Sequence, residues 1–120
     1  MSEAHPTPEP SSPRAALALA LLPGIGHASY WALLARYGSA ECAWQAQKHT
    51  GCAEALSLAG EALDRAARCG ARFLAPGDAE YAPSLYELEH PPLYLFARGD
   101  LSLLARPGVA IVGTRAATPY

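Results

Sequence analysis

The chain has 120 residues, a formal net charge of −2 at neutral pH and a sequence pI of about 6.0. Hydrophobic residues make up 51% of it, which excludes general disorder because such a chain can bury a core. The charge excludes a protein that binds nucleic acid by coating itself in positive charge, so a nucleic-acid ligand would have to meet a focused pocket.

Compartment and thiol state follow from the cysteines and the N-terminus. Cys42, Cys52 and Cys69 lack the spacing of a zinc site or a disulfide framework, so we expect free thiols that are buried or half-buried. Such thiols favour a reducing compartment. The N-terminus has no positively charged signal region, and the apolar run at 15–22 is too short to span a bilayer. A soluble cytoplasmic protein is expected.

Four helices are predicted over residues 13–70. The Pro- and Ser-rich residues 1–12 predict a disordered tail. Ser12 is a good N-cap for a first helix that begins at Pro13, where the missing N–H of proline costs nothing. The sequence predicts an all-helical N-terminal domain of the helix-hairpin-helix or SAM-like kind.

Capping residues define the other three helices. The second is predicted from about His27 to Tyr37, with Gly38 as its C-cap, and Ser39 caps the third. The fourth runs roughly over residues 53–69 and ends at Gly70. Trp31 and Trp44 lie in these helices at positions that favour packing over base stacking.

The turn between the first two helices is Leu22-Pro-Gly-Ile-Gly26, which resembles the hairpin of helix-hairpin-helix domains. There, Gly24 and Gly26 would let the backbone approach a DNA phosphate closely. Such hairpins usually carry Lys or Arg just after the turn, where this chain has His27-Ala-Ser. A tight turn whose glycines only satisfy helix capping is the alternative, and both interpretations stay open.

From residue 71 strands alternate with helical segments, which indicates an α/β domain. Strands are predicted at 72–74 and 93–98, a short helix or loop at 81–88, and one helical turn at 101–104. Both faces of the strand at 93–98 are apolar, as in a sheet covered by helices on both sides. The domain boundaries predicted are 1–12, 13–70 and 71–120.

The last twelve residues predict a phosphate site. A buried strand over Val109–Val112 leads into a glycine turn, and Thr118 with Pro119 begins a helix. Backbone N–H groups and the helix dipole then point at one spot, and an arginine adds a fork of donors for a phosphate. The predicted phosphate-binding residues are Gly113, Thr114, Arg115 and Thr118.

This loop departs from the dinucleotide fingerprint at its second and third glycines, so no NAD or FAD site is predicted. An ordinary turn with a surface arginine is the alternative. The histidines have no shared spacing and no catalytic partner, and no cofactor, metal site or catalytic residue is expected.

Three stretches together resemble the DNA-processing protein DprA (Smf) family: Tyr81-Ala-Pro-Ser-Leu85, Pro91-Pro-Leu-Tyr-Leu-Phe-Ala-Arg-Gly-Asp100 and Val109-Ala-Ile-Val-Gly-Thr-Arg-Ala-Ala-Thr-Pro-Tyr120. They are similar in order and spacing to the family's Tyr-Pro-x-x-Leu, Pro-x-x-Leu-aromatic and Gly-(Ser/Thr)-Arg motifs. Ala82 departs from the first motif. The helical region with Leu-Pro-Gly-Ile-Gly is similar to the N-terminal domain that many members carry.

The resemblance implies an extended Rossmann fold, of which this chain would hold a truncated first part. It implies a non-enzymatic role: binding single-stranded DNA during natural transformation, protecting it and handing it to the recombinase RecA. It also implies a homodimer at full length. Two rivals stay open, a Rossmann-like hydrolase that binds nucleoside monophosphates and a helical module that binds duplex DNA or protein.

Overall fold

Helices dominate the computed structural model, which describes residues 7–47 and 51–113. The mixed α and β character that the sequence predicts is confirmed, with five α-helices, two strands and one 3₁₀ helix in these ranges. In chain order they are α1 (Pro13–Leu21), α2 (His27–Tyr37), α3 (Ala40–Gln45), α4 (Cys52–Arg68), β1 (Arg72–Leu74), α5 (Pro83–Tyr86), β2 (Leu95–Ala97) and the 3₁₀ helix (Leu101–Ala105).

Local capping chemistry sets the helix ends. The Ser12 side chain accepts a hydrogen bond from the Ala15 N–H at 3.3 Å, which starts α1 with Pro13 as its first residue. Gly38 takes a left-handed φ of 83°, which ends α2, and its N–H donates to the Leu34 carbonyl at 2.8 Å. These helix ends are confirmed as predicted.

The hydrophobic core crosses the predicted boundary at residue 70. The middle of α1 is fully buried and packs against α3 and α4. Tyr30 and Trp31 of α2 belong to the same core cluster as Tyr81 and Tyr86, which follow β1. The helical segment and the segment after it therefore share one core.

The sheet consists of β1 and β2 paired antiparallel, with Phe73 opposite Phe96. One face is covered, since Leu74 is 2% exposed, but Phe96 on the other face is 42% exposed. The prediction that helices cover both faces of the second strand is therefore wrong for Phe96. The parallel Rossmann-like sheet stays a prediction, because the described strands form only this antiparallel pair.

Residues 7–11, which we call the N-terminal strap, lie inside the predicted disordered tail but are held against the helices. The Glu9 N–H donates to the Gly38 carbonyl at 2.8 Å, and the Ser11 hydroxyl accepts from the Glu41 N–H at 3.0 Å. Pro8 is buried. A proline-rich segment has no core of its own, but its extended backbone can still pair with a neighbouring chain segment. Residues 1–6 lie outside the described residues.

The predicted buried strand at Val109–Val112 is wrong in this structure. Residues 107–113 have no regular secondary structure, and Val109, Ile111 and Val112 are 91%, 95% and 92% exposed. The physical reason is that a buried strand needs neighbours for its N–H and C=O groups, and in the described ranges β1 and β2 pair only with each other.

The prediction of buried or half-buried thiols is wrong for two of the three cysteines. Cys42 and Cys69 are exposed and only Cys52 is half-buried, although all three are free thiols as expected. Helix α3 buries Ala40 and Ala43, so Cys42 falls on its outer side, and Cys69 follows the last turn of α4.

Candidate functional site

The predicted phosphate loop is represented by one described residue. Gly113 is exposed at the end of the irregular segment, and a Cβ built on it would meet no atom within 4 Å. Thr114, Arg115 and Thr118 lie outside the described residues. The four-residue phosphate site therefore stays a prediction.

The second candidate, the turn between α1 and α2, is open to solvent. Gly24 adopts a φ of 83° and Gly26 precedes α2, and a Cβ on either would meet nothing within 4 Å. The turn also has an ordinary structural role: the Ile25 N–H donates to Leu22, and the Gly26 carbonyl accepts from the Tyr30 N–H at 3.0 Å. Access for a phosphate and a capping role are both compatible with this geometry.

The start of α2 makes a contact that the sequence does not reveal. The Pro91 carbonyl accepts from the Trp31 indole N–H at 3.2 Å and lies 2.5 Å from His27 Nε2, which must carry the proton because a carbonyl only accepts. The His90 ring packs edge-on against His27 with centroids 5.4 Å apart. Two side-chain donors of α2, His27 and Trp31, thus hold the carbonyl at the start of the Pro91-Pro92 motif.

Tyr81 ties together two of the sequence motifs that carry the family resemblance. Its ring is buried, and its hydroxyl donates to the Pro92 carbonyl at 2.8 Å. Tyr86, 4.8 Å away between ring centroids, accepts from the Gly77 N–H at 2.8 Å. Burial raises the pKa of both phenols, so they stay neutral hydrogen-bonding groups. In this structure the tyrosine and proline motifs serve packing.

Among the described residues, Asp78 is the carboxyl with a raised pKa. The main cause is burial, which disfavours the charged form. It accepts a hydrogen bond from the Ala75 N–H at 2.8 Å, which fixes the turn after β1. Neighbouring Glu80 forms an exposed, bidentate ion pair with Arg72. The described residues contain no group of three or more His, Cys, Asp and Glu that could hold a metal ion. Asp78 thus has a structural role, because its carboxylate holds the Ala75 N–H.

Three aromatic rings in mutual contact, which we call the aromatic cluster, lie on one face of the sheet. Phe73 and Phe96 are cross-strand partners with centroids 5.6 Å apart, and Tyr94 is 6.0 Å from Phe73 and 5.9 Å from Phe96. Phe73 and Tyr94 are half-buried against the core, whereas Phe96 is exposed. Arg98, also exposed, follows β2 directly. The strand alternation at 93–97 was visible in the sequence, but the cross-strand partner Phe73 was not.

None of the helices in the described ranges combines the length and apolar character needed to cross a membrane. No curated protein and no solved structure matches the chain. Residues 72–120 match the family described as DNA recombination-mediator protein A. The match begins at the first residue of β1 and includes the predicted phosphate loop, and it leaves out the four helices before it. Over residues 72–120 the resemblance to the DprA family is therefore confirmed, and the description of the matched family points to a role in DNA processing and recombination.

Proposed function

We propose that this chain is part of a protein that binds single-stranded DNA, protects incoming strands and delivers them to RecA during natural transformation. The observation that carries the proposal is the family match over residues 72–120, which includes the Gly113-Thr-Arg sequence. Because the chain shares the family's Gly-(Ser/Thr)-Arg motif, we expect it to bind the same ligand, a DNA backbone. The proposed setting is the cytoplasm, with a homodimer as the working form.

The mechanism is electrostatic and hydrogen-bonded capture. The Arg115 guanidinium pairs with a phosphate, while the amides of Gly113 and Thr114 and the Thr118 hydroxyl complete the cradle. Gly113 offers room for this approach, since no other atom lies near its Cβ position. Binding of this kind breaks no covalent bond, so the proposal includes no enzymatic step and no cofactor.

In this proposal the helices α1 to α4 support the family segment. Trp31 and His27 hold the Pro91 carbonyl, and the tyrosines after β1 complete the same core. The observations favour this packing role over a separate helical module, because the residue just after the glycine turn is engaged by the family segment.

The test is a titration of fluorescein-labelled single-stranded DNA with the chain and with Arg115→Ala. Loss of one charge-assisted contact costs about 1.5–3 kcal/mol, so affinity should fall roughly ten- to a hundredfold. The salt dependence should also weaken by about one counterion.

Arg65→Ala is the matched control, since it removes the same charge from the exposed surface of α4. It should leave the affinity within about twofold, as expected at moderate salt for an exposed charge that is not part of the proposed phosphate loop. Equal losses in the two variants, or no binding by the unaltered chain, would overturn the proposal.

A further inference from the structure

The aromatic cluster on the sheet (Phe73, Tyr94 and Phe96) presents an exposed ring whose role the phosphate loop does not explain. Its three rings contact one another at centroid distances of 5.6–6.0 Å, and Phe96 keeps 42% of its surface exposed. We infer that Phe96 is a stacking platform for a base of single-stranded nucleic acid. This inference deepens the proposed function and rests on it.

The sheet presents this platform on one side only. Leu74, which pairs with Leu95 on the opposite face, is buried. Phe73 and Tyr94 pack against the core and contact Phe96 from two directions, so the exposed ring is fixed by its neighbours. A fixed ring binds at low entropic cost, because no rotamer freedom is lost when a base stacks on it.

A cation lies next to the platform. Arg98 is exposed and is two residues beyond Phe96, so the Cα atoms of the two residues are at most about 7 Å apart. Arg72 on the neighbouring strand is neutralised by its ion pair with Glu80. No ion pair of Arg98 is found in the described part of the chain. Arg98 is therefore available for a phosphate. Asp100 is near, but its carboxylate accepts two hydrogen bonds from Ser102 and caps the 3₁₀ helix.

An aromatic ring beside an arginine is the combination with which proteins bind single strands, since every base has a π-face and every nucleotide a phosphate. A protein partner needs much more surface, about 800 Å² on each side of a stable interface. The open part of one phenylalanine is a small fraction of that area but matches the face of one base. The exposed surface of this one ring thus fits the face of a base better than it fits a protein interface.

The experiment uses the full chain and three variants at one position. Phe96→Ala should bind a labelled oligothymidylate about five- to a hundredfold more weakly, as expected for one lost base-stacking contact. Phe96→Trp should keep or improve the affinity, and Phe96→Leu should lose it because the leucine is apolar but has no π-face. Leu88→Ala is the control, since Leu88 is a similarly exposed apolar side chain outside the aromatic cluster.

An abasic oligonucleotide gives the decisive readout, because it keeps the phosphates and removes the bases. Phe96→Ala should bind the abasic oligonucleotide as tightly as the unaltered chain does, whereas Arg115→Ala should still lose affinity for it. If Phe96→Ala weakens binding to both strands equally, or if Phe96→Leu binds normally, base stacking at Phe96 is excluded.

The two proposals fail in different ways. Loss of binding in Arg115→Ala with normal binding in Phe96→Ala would overturn the platform and leave the phosphate loop in place. The reverse result would overturn the phosphate loop and leave the platform. Concentration-dependent dimerisation that Phe96→Ala abolishes, without an effect on DNA binding, would assign the aromatic cluster to contact between copies of the chain and overturn the inference.

Discussion

Helix α1 and the segment Val109–Val112 are similarly apolar, and they occupy opposite extremes of the molecule. The middle of α1 is enclosed on all sides, with Leu17 and Leu19 essentially inaccessible, whereas Val109 and Ile111 are almost fully exposed. The difference lies in the backbone. A helix satisfies its own N–H and C=O groups, so it needs only side-chain partners, which α3 and α4 supply. An extended segment needs strands beside it before burial becomes favourable.

Truncation of one apolar side chain in each segment should have very different effects on the free energy of unfolding. Leu17→Ala should lower the free energy of unfolding by about 2–5 kcal/mol, because it removes buried methyl groups and leaves a cavity in the core. Ile111→Ala should change it by less than about 0.5 kcal/mol, since the side chain is already in water. Urea unfolding followed by tryptophan fluorescence measures both. A large loss in Ile111→Ala would show that the segment is buried in solution.

A smaller effect is expected where the N-terminal strap passes the turn after β1. Gly77 has a φ of 102°, and a Cβ there would lie 2.5 Å from the Glu9 carbonyl oxygen. Gly77→Ala should therefore destabilise the protein by about 1–3 kcal/mol more than Gly24→Ala, because Gly24 has a similar left-handed φ but open space around it. Thermal unfolding of the two variants measures the difference.

Deletion of residues 1–10 provides the control for this prediction. The unmutated chain should lose stability when the strap is removed, but Gly77→Ala and Gly24→Ala should then cost similar amounts. A difference that persists without the strap would mean that Gly77 is strained for another reason.

The smallest effect concerns pH. Burial raises the pKa of Asp78, so the folded state holds this proton more tightly than the unfolded state. Its contribution to stability is therefore present below the unfolded pKa of about 4 and is lost as the pH rises through the folded-state pKa. Relative to Asp78→Asn, the unaltered chain should become less stable as the pH rises from the unfolded pKa of about 4 through the higher folded-state pKa.

Asp100 is a control of opposite sign, because hydrogen bonds from Ser102 lower the pKa of its carboxyl. Its contribution is present above the unfolded pKa and is lost as the pH falls. Stability measured against Asp100→Asn should thus rise with pH over the acid range. The same slope for both aspartates would contradict the assigned hydrogen bonds and burial.

Sequence rules captured the features that depend on neighbouring residues. The Ser12 and Ser39 caps, the end of α2 at Gly38 and the strand at 72–74 all follow from short-range chemistry, and the structure confirms them. The family resemblance also came from local motifs and is confirmed over residues 72–120.

The remaining features depend on residues far apart in the chain. Nothing near Trp31 in the sequence indicates that its indole would meet the Pro91 carbonyl, and nothing near Phe96 indicates Phe73 as its partner. The predicted strand at Val109–Val112 is wrong for the same reason: its pattern identifies a segment suited to burial, but burial depends on strands that local sequence does not supply. Of the predicted phosphate loop, only Gly113 is among the described residues.

The contact between the N-terminal strap and Gly77 has a consequence for the order of folding. Glu9 lies against the Gly38 carbonyl and beside the Gly77 turn, although the four helices separate that turn from it in the chain. During synthesis the strap leaves the ribosome before the helices, yet its full set of neighbours exists only after Gly77 has emerged. The helices can form early from local contacts, and the closing of the strap adds long-range contact order at the end. Refolding should therefore show the strap gaining protection from proteases after the helical signal has been recovered.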